Sequence, residues 1–226
     1  MHGGDDLIYQ ISTWIIPALL AITLHEAAHG FAAYHFGDDT AMRAGRISLN
    51  PLRHVDPLGT IILPGLLLIS HAPFLFGYAK PVPVNFWRLR NPKRDMIWVA
   101  AAGPLMNLAL AFAAGILAHA YAVLPAEIGE WLLVNLANAI SLNIVLAVFN
   151  MIPLPPLDGG RVAVGLLPQP LSVPLARLEP YGMLILILLL LVLPSIPGLH
   201  FNLLGDVIGP PTRFLYEVIL TLTGHF

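Results

Sequence analysis

Long apolar runs rather than short alternations dominate the chain. The first extends from Ile8 to Phe36, and a second, "GTIILPGLLLIS" beginning at Gly59, is short and carries Pro64 and Gly65. Further runs cover Asp95 to Leu124 and Trp131 to Ile152, then "YGMLILILLLLVL" from Tyr181, with an apolar tail from Leu203. About 20 apolar residues suffice to cross a bilayer as a helix. The pattern therefore predicts an all-α polytopic membrane protein with about four to six membrane segments. The second segment is too short to cross and reads as re-entrant. Between it and the third lies "FGYAKPVPVNFW", whose prolines exclude regular helix and favour an extended edge or loop. No repeat or linker divides the chain, so residues 1–226 read as one membrane unit, with a core at about 8–160 and C-terminal membrane segments at about 161–226.

Composition agrees with this pattern: 57% of residues are hydrophobic and only 11% are charged, and the mean hydropathy is +0.77, beyond an ordinary soluble domain. The net charge of −2, with 11 Lys and Arg, provides no extended cationic surface, which excludes nucleic acid as a partner. Cysteine is absent, so a bound metal must rest on His, Asp or Glu. The amino-terminal "MHGGDDLIYQ" lacks the basic region of a cleavable signal, and the first run is expected to be a retained span. Arg43, Arg46 and Arg53 follow that span, while Lys80, Arg88, Arg90, Lys93 and Arg94 precede the third. Loops rich in Lys and Arg stay cytoplasmic, so both belong inside and the amino terminus outside. The membrane expected is the cell membrane.

The first span contains "TLHEAAHGF", Thr23 to Phe31. On a helix, His25 and His29 project from one face and can reach one ion, with Glu26 beside them free to hold a water. This H-E-x-x-H pattern is a zinc-hydrolase signature, and three unpaired polar side chains inside a membrane helix would be costly without a metal. Catalytic zinc takes three protein ligands and leaves one position open. His35 is a poor third ligand: on an unbroken helix it lies about 15 Å from His25 along the axis and off the face. Asp158, in "NMIPLPPLDGGR", is the better candidate. Its prolines forbid regular helix, and irregular backbone at membrane depth is tolerated only against protein or a wet cavity. A helix broken there presents a carboxylate sideways. A plain helix-capping Asp is the alternative. Depth favours the ligand: a helix entering near Ile8 carries His25 about 25 Å into a roughly 30 Å core, the side where the fourth run also ends.

Together, "HEAAH", "AGPLMN" (Ala102 to Asn107), "NMIPLPPLDGG", "GRISLNPLRHVDPLGT" and "GYAKPVPVN" resemble the site-2 protease family of intramembrane zinc metalloproteases, in its short group without PDZ or CBS domains. The resemblance covers about Leu24 to Gly160. It implies one zinc per chain on His25, His29 and Asp158, with Glu26 as general base. Asn150 would orient the scissile carbonyl or stabilise the oxyanion. The stretch Pro81, Val82, Pro83, Val84 and Asn85 resembles the family's re-entrant element that pairs with substrate, by strand addition to an unwound segment. The implied activity is hydrolysis of peptide bonds within or near the transmembrane segments of membrane-protein substrates.

Weaker signals remain. Asn107 is a candidate for bonding across helices near the site and for contacting substrate; a polar glue residue in a small-residue packing motif is the alternative. His54 and Asp56 could form a pair near the site or simply a surface turn. Asp206 is the reserve ligand should Asp158 fail. The partners expected are a transmembrane-helix substrate and the lipid bilayer, and an oligomer is compatible with the sequence. Two other functional classes use similar residues. A membrane zinc or ion transporter predicts several coordinating sites along a path, whereas a catalytically silent binder of membrane helices has no need of Glu26.

Overall fold

The computed structural model describes residues 3–48, 50, 53, 55–62, 66, 80–196 and 202–225. It is helical, and no strand occurs among the described residues. Helix α1 (Gly3–His35) is 33 residues long, about 50 Å at 1.5 Å per residue. A single short turn, α2 (Thr40–Arg43), follows it. Helix α3 (Pro92–Ala118) starts with a proline in its first turn, where the missing N–H costs nothing. The buried Asp95 carboxylate accepts the Asn91 N–H there at 2.7 Å. Helix α4 (Ala126–Asn150) returns antiparallel to α3.

Three stretches are long and apolar enough to span a membrane: Ile8–His35, Pro92–Val123 and Ala126–Asn150. The helices α1, α3 and α4 pack on one another as a three-helix core. A fourth span exists if Gln169–Ala176 and Glu179–Ser195, bent by 64°, count as one. The sequence makes the run from Tyr181 look like the cleanest span. In the structure it forms α7 (Glu179–Ile187) and continues in wider turns to Val192. Prolines at 168, 170, 174, 180 and 194 divide this part of the chain, so α6 (Gln169–Ala176) and α7 are each short. The tail from Leu203 ends in α8 (Gly209–Leu222), whose Ile219 joins Ala111, Ala114, Ile140 and Ile144 in a buried apolar cluster. The expected re-entrant segment lies outside the described residues except for Pro57–Ile62, a helical turn, and Leu66. His54, His71 and His200 also lie outside them.

Between α4 and α5 (Asp158–Leu166) the chain is irregular. Gly159 permits this junction, because a Cβ there would come within 2.6 Å of the Ile152 carbonyl oxygen. Asp158 is therefore the first residue of a helix whose opening turn is pressed against the preceding loop, and that helix packs on α3.

Candidate metal centre

Helix α1 brings His25 and His29 to one face, four residues apart, and α5 brings Asp158 to meet them. The three side chains are 8%, 9% and 6% exposed. His25 Nε2 lies 3.2 Å and His29 Nε2 3.3 Å from Asp158 Oδ2, and the two Nε2 atoms are 3.1 Å apart. Three ligand atoms thus form a nearly equilateral triangle.

The remaining contacts decide where the protons are. Asn107, wholly buried, donates through Nδ2 to the Ala21 carbonyl at 3.2 Å and to Asn143 Oδ1 at 2.8 Å. Its Oδ1 is thereby an acceptor, so His25 Nδ1, 2.6 Å away, must donate to it. His29 Nδ1 faces the Val99 carbonyl at 2.7 Å and must donate as well. With both Nδ1 atoms protonated, each neutral imidazole turns a lone pair at Nε2 towards the other and towards Asp158. Asp158 Oδ2 is correspondingly buried without a hydrogen-bond donor. In that neutral form the three atoms are all acceptors, and they repel one another unless a cation lies among them. Zinc–ligand bonds of about 2.0–2.1 Å in a tetrahedron place neighbouring ligand atoms about 3.3 Å apart, close to the spacings here. The set fits a divalent metal, and its Nδ1–H bonds are the kind that fix the ring orientation of metal-ligating histidines.

Room for the triangle comes from Gly103 on α3. A Cβ at that position would lie 2.6 Å from both Cε1 and Nε2 of His25, so any other residue would displace the imidazole. Glu26, half-buried, points to the neighbouring side of α1, where its Oε2 accepts the Val82 N–H at 2.8 Å.

The other expected site residues are more dispersed. Asn107 was expected to bond across helices near the site, as it does to His25 and Asn143, and to contact substrate. It is instead enclosed behind His25, with its amide spent on three protein bonds, and has no surface to offer a substrate. Asn150, half-buried at the end of α4, donates to the Leu146 carbonyl of its own helix at 3.0 Å. The stretch Pro81–Asn85 is irregular and lies against α1, with Val82 buried and Pro81, Pro83 and Asn85 exposed. His35 is exposed and lines a separate hollow of about 670 Å³ with Phe31, Tyr34 and Arg90. Asp206 is outside the ligand group. Sequence reasoning missed Asn143, Gly103 and the Val99 carbonyl. Only Asn143 left a signal, as a polar residue in an apolar span.

The sequence profile of Peptidase family M50 matches residues 125–193, a stretch that includes Asp158. YwhC of Bacillus subtilis (strain 168), whose name describes it as a candidate zinc metalloprotease, is 40% identical over 179 residues, 77% of this chain and 78% of that protein. The chain belongs to peptidase family M50. Another relative in the family is Rip2 of Mycobacterium tuberculosis (strain H37Rv), also named as a candidate zinc metalloprotease. It is 31% identical over 195 residues, 86% of this chain and 71% of Rip2. No solved structure matches the chain. With its three apolar spans, this M50 peptidase is an integral membrane protein.

Proposed function

We propose that the protein is a zinc-dependent intramembrane peptidase that cuts membrane-protein substrates within or near their transmembrane segments. The observation that carries the reading is the convergence of two imidazole Nε2 atoms and one buried carboxylate oxygen within 3.3 Å, with both Nδ1 atoms already engaged by oxygen acceptors. The relatives named as zinc metalloproteases support zinc as the ion, as does a donor set of two imidazoles and a carboxylate. A zinc ion held there would supply a Lewis acid and make water acidic enough to lose a proton near neutral pH.

The chain's own groups perform the rest. Asn107 and the Val99 carbonyl hold the two imidazoles in their donating tautomers. Glu26 has one carboxylate oxygen engaged by Val82, leaving the other to take a proton from the attacking water and deliver it to the leaving amine. Asn150, at the end of the helix preceding the Asp158 junction, is the proposed contact for the scissile carbonyl, once released from Leu146. A substrate helix hides its carbonyls in its own hydrogen bonds and must unwind before attack. The Arg and Lys residues between α1 and α3 support a cell-membrane peptidase with the ligand end of its bundle on the cytoplasmic side.

The test is cleavage of single-span peptides by purified protein in detergent, with and without chelator, comparing the parent with Glu26→Gln. Glu26→Gln should retain about one zinc per chain while losing about 10²- to 10⁴-fold in rate. Cleavage that survives chelation, or a Glu26→Gln variant as fast as the parent, would falsify the reading. Transport of ions by a proteolytically silent parent would favour the transporter class.

A further inference from the structure

Glu26 is a carboxylate on a flexible stem, and a general base must keep its oxygen within hydrogen-bond reach of the proton it takes. Among the described residues, one group supplies that constraint, the Val82 N–H at 2.8 Å from Oε2. We infer that the segment Lys80–Asn85 is a positioning element for the general base, with the Val82 N–H orienting Glu26 and Asp38 anchoring the segment. The inference rests on the peptidase reading above.

The segment's sequence makes Val82 the point of contact. Pro81 and Pro83 have no N–H to donate, so Val82 carries the one main-chain donor between Lys80 and Val84. Three main-chain ties hold the stretch, one to α1 and two to the segment that follows it. Arg46 donates to the Lys80 carbonyl at 2.6 Å, Val82 donates to Glu26, and the Asn85 N–H donates to Asp38 Oδ2 at 2.6 Å. The Val82 side chain is 7% exposed and seats over Gly30, one turn beyond Glu26, where a Cβ would come within 3.2 Å of Val82 Cγ1. Val84 packs against the buried cluster of Ala33, Leu89 and Val99.

Asp38 is the fixed end of this arrangement. It is 0% exposed, and its second oxygen accepts both the N–H and the hydroxyl of Thr40 just beyond α1. Neither Asp38 nor the Val82 N–H is assigned a contact with the reacting atoms. Each acts through Glu26. A misplacement of about 1 Å at a reacting group can cost on the order of 10²-fold in rate, so the segment governs turnover more than substrate affinity.

Steady-state cleavage of a quenched fluorescent peptide of about 25 residues containing one apolar span, chosen because the parent cuts it, tests this in detergent. Val82→Pro removes the donor between two existing prolines. Its kcat should fall about 10- to 100-fold with KM within about threefold of the parent and zinc content unchanged. Asp38→Ala should show the same split, and it decides the matter if Val82→Pro loses zinc. A raised KM at parental kcat would make the stretch a substrate edge alone. A raised kcat would make it an inhibitory strap, and unchanged kinetics or zinc loss in both variants would leave it a folding element; each of these overturns the inference. A parent that cuts no peptide in a chelator-sensitive way defeats the peptidase reading itself, whereas a cutting parent with kinetically normal variants defeats this inference alone.

Discussion

The same two helices, α3 and α4, are fastened by two kinds of contact, one beside the ligands and one that runs on towards the other end. Towards the ligand end, Asn107 on α3 bonds Asn143 on α4 and His25 on α1, each contact directed and buried. From the level of Asn143 towards the other end, Ala111 and Ala114 on α3 meet Ile140 and Ile144 on α4 and Ile219 on α8 in an apolar cluster. Apolar packing in lipid is non-directional, because lipid tails are as apolar as leucine and helix association depends on fit. Hydrogen bonds specify angle and register. The ligand end, where ligand atoms must meet to within tenths of an ångström, relies on the directed kind. Substitutions at the two ends should therefore separate into those that change metal and turnover and those that change stability alone.

The largest effect should come from Gly103→Ala. The added Cβ would fall 2.6 Å from His25 Nε2, so either α3 withdraws from α1 or the imidazole leaves its place. Zinc content measured on the purified variant should fall to a small fraction of the parent's, and chelator-sensitive cleavage should vanish. Normal zinc in Gly103→Ala would mean that the close approach of α1 and α3 is not what shapes the triangle.

A smaller effect belongs to the bonds behind the ligands. Asn107→Ala leaves all three ligands present but removes the acceptor that fixes the His25 tautomer. Loss of such an outer partner typically costs about 10- to 100-fold in metal affinity. Competition with a zinc chelator of graded strength should show that drop, while Asn138→Ala, which breaks a 3.1 Å bond to the Thr13 carbonyl away from the ligands, should not. Equal zinc affinity in both variants would erase the contrast between the two ends.

These residues also mark what the sequence could tell. His25, Glu26 and His29 were legible because their relation is local: one helix and a four-residue spacing suffice. Asp158 was legible because prolines announce a broken helix and the apolar runs fix its depth. Three spans were legible from hydropathy to within a few residues at most ends. Gly103 and the Val99 carbonyl were not, since their roles depend on how α1 is registered against α3, and a glycine in a membrane helix or a backbone oxygen has no signature of that. Asn107 was legible as a residue bonding across helices near the site, as it does, but that its partners are His25 and Asn143 depends on the same register. Pro81–Asn85 was legible as backbone outside any helix. That its donor would turn to Glu26 depends on the fold around Gly30 and Asp38, and Asp38 looks no different in sequence from the half-buried Asp39 beside it.

The smallest effect should arise in the apolar cluster. Ile144 is 0% exposed and packs among Ala111, Ala114, Ile140 and Ile219. Ile144→Val removes one methylene from that contact, and because lipid offers an apolar alternative, the loss is mainly one of van der Waals packing. A cost of about 0.5–1.5 kcal/mol is expected. It should appear as a modestly lower unfolding midpoint in detergent, with zinc content, kcat and KM as in the parent. Ile144 follows Asn143 at the same level of α4, about 100° around the helix from it, so the variant is a strict test of whether the two kinds of contact are independent. If Ile144→Val lowers zinc affinity as far as Asn107→Ala does, the packed end is transmitting its fit to the ligands, and α3 and α4 must be regarded as one rigid body rather than two differently fastened halves.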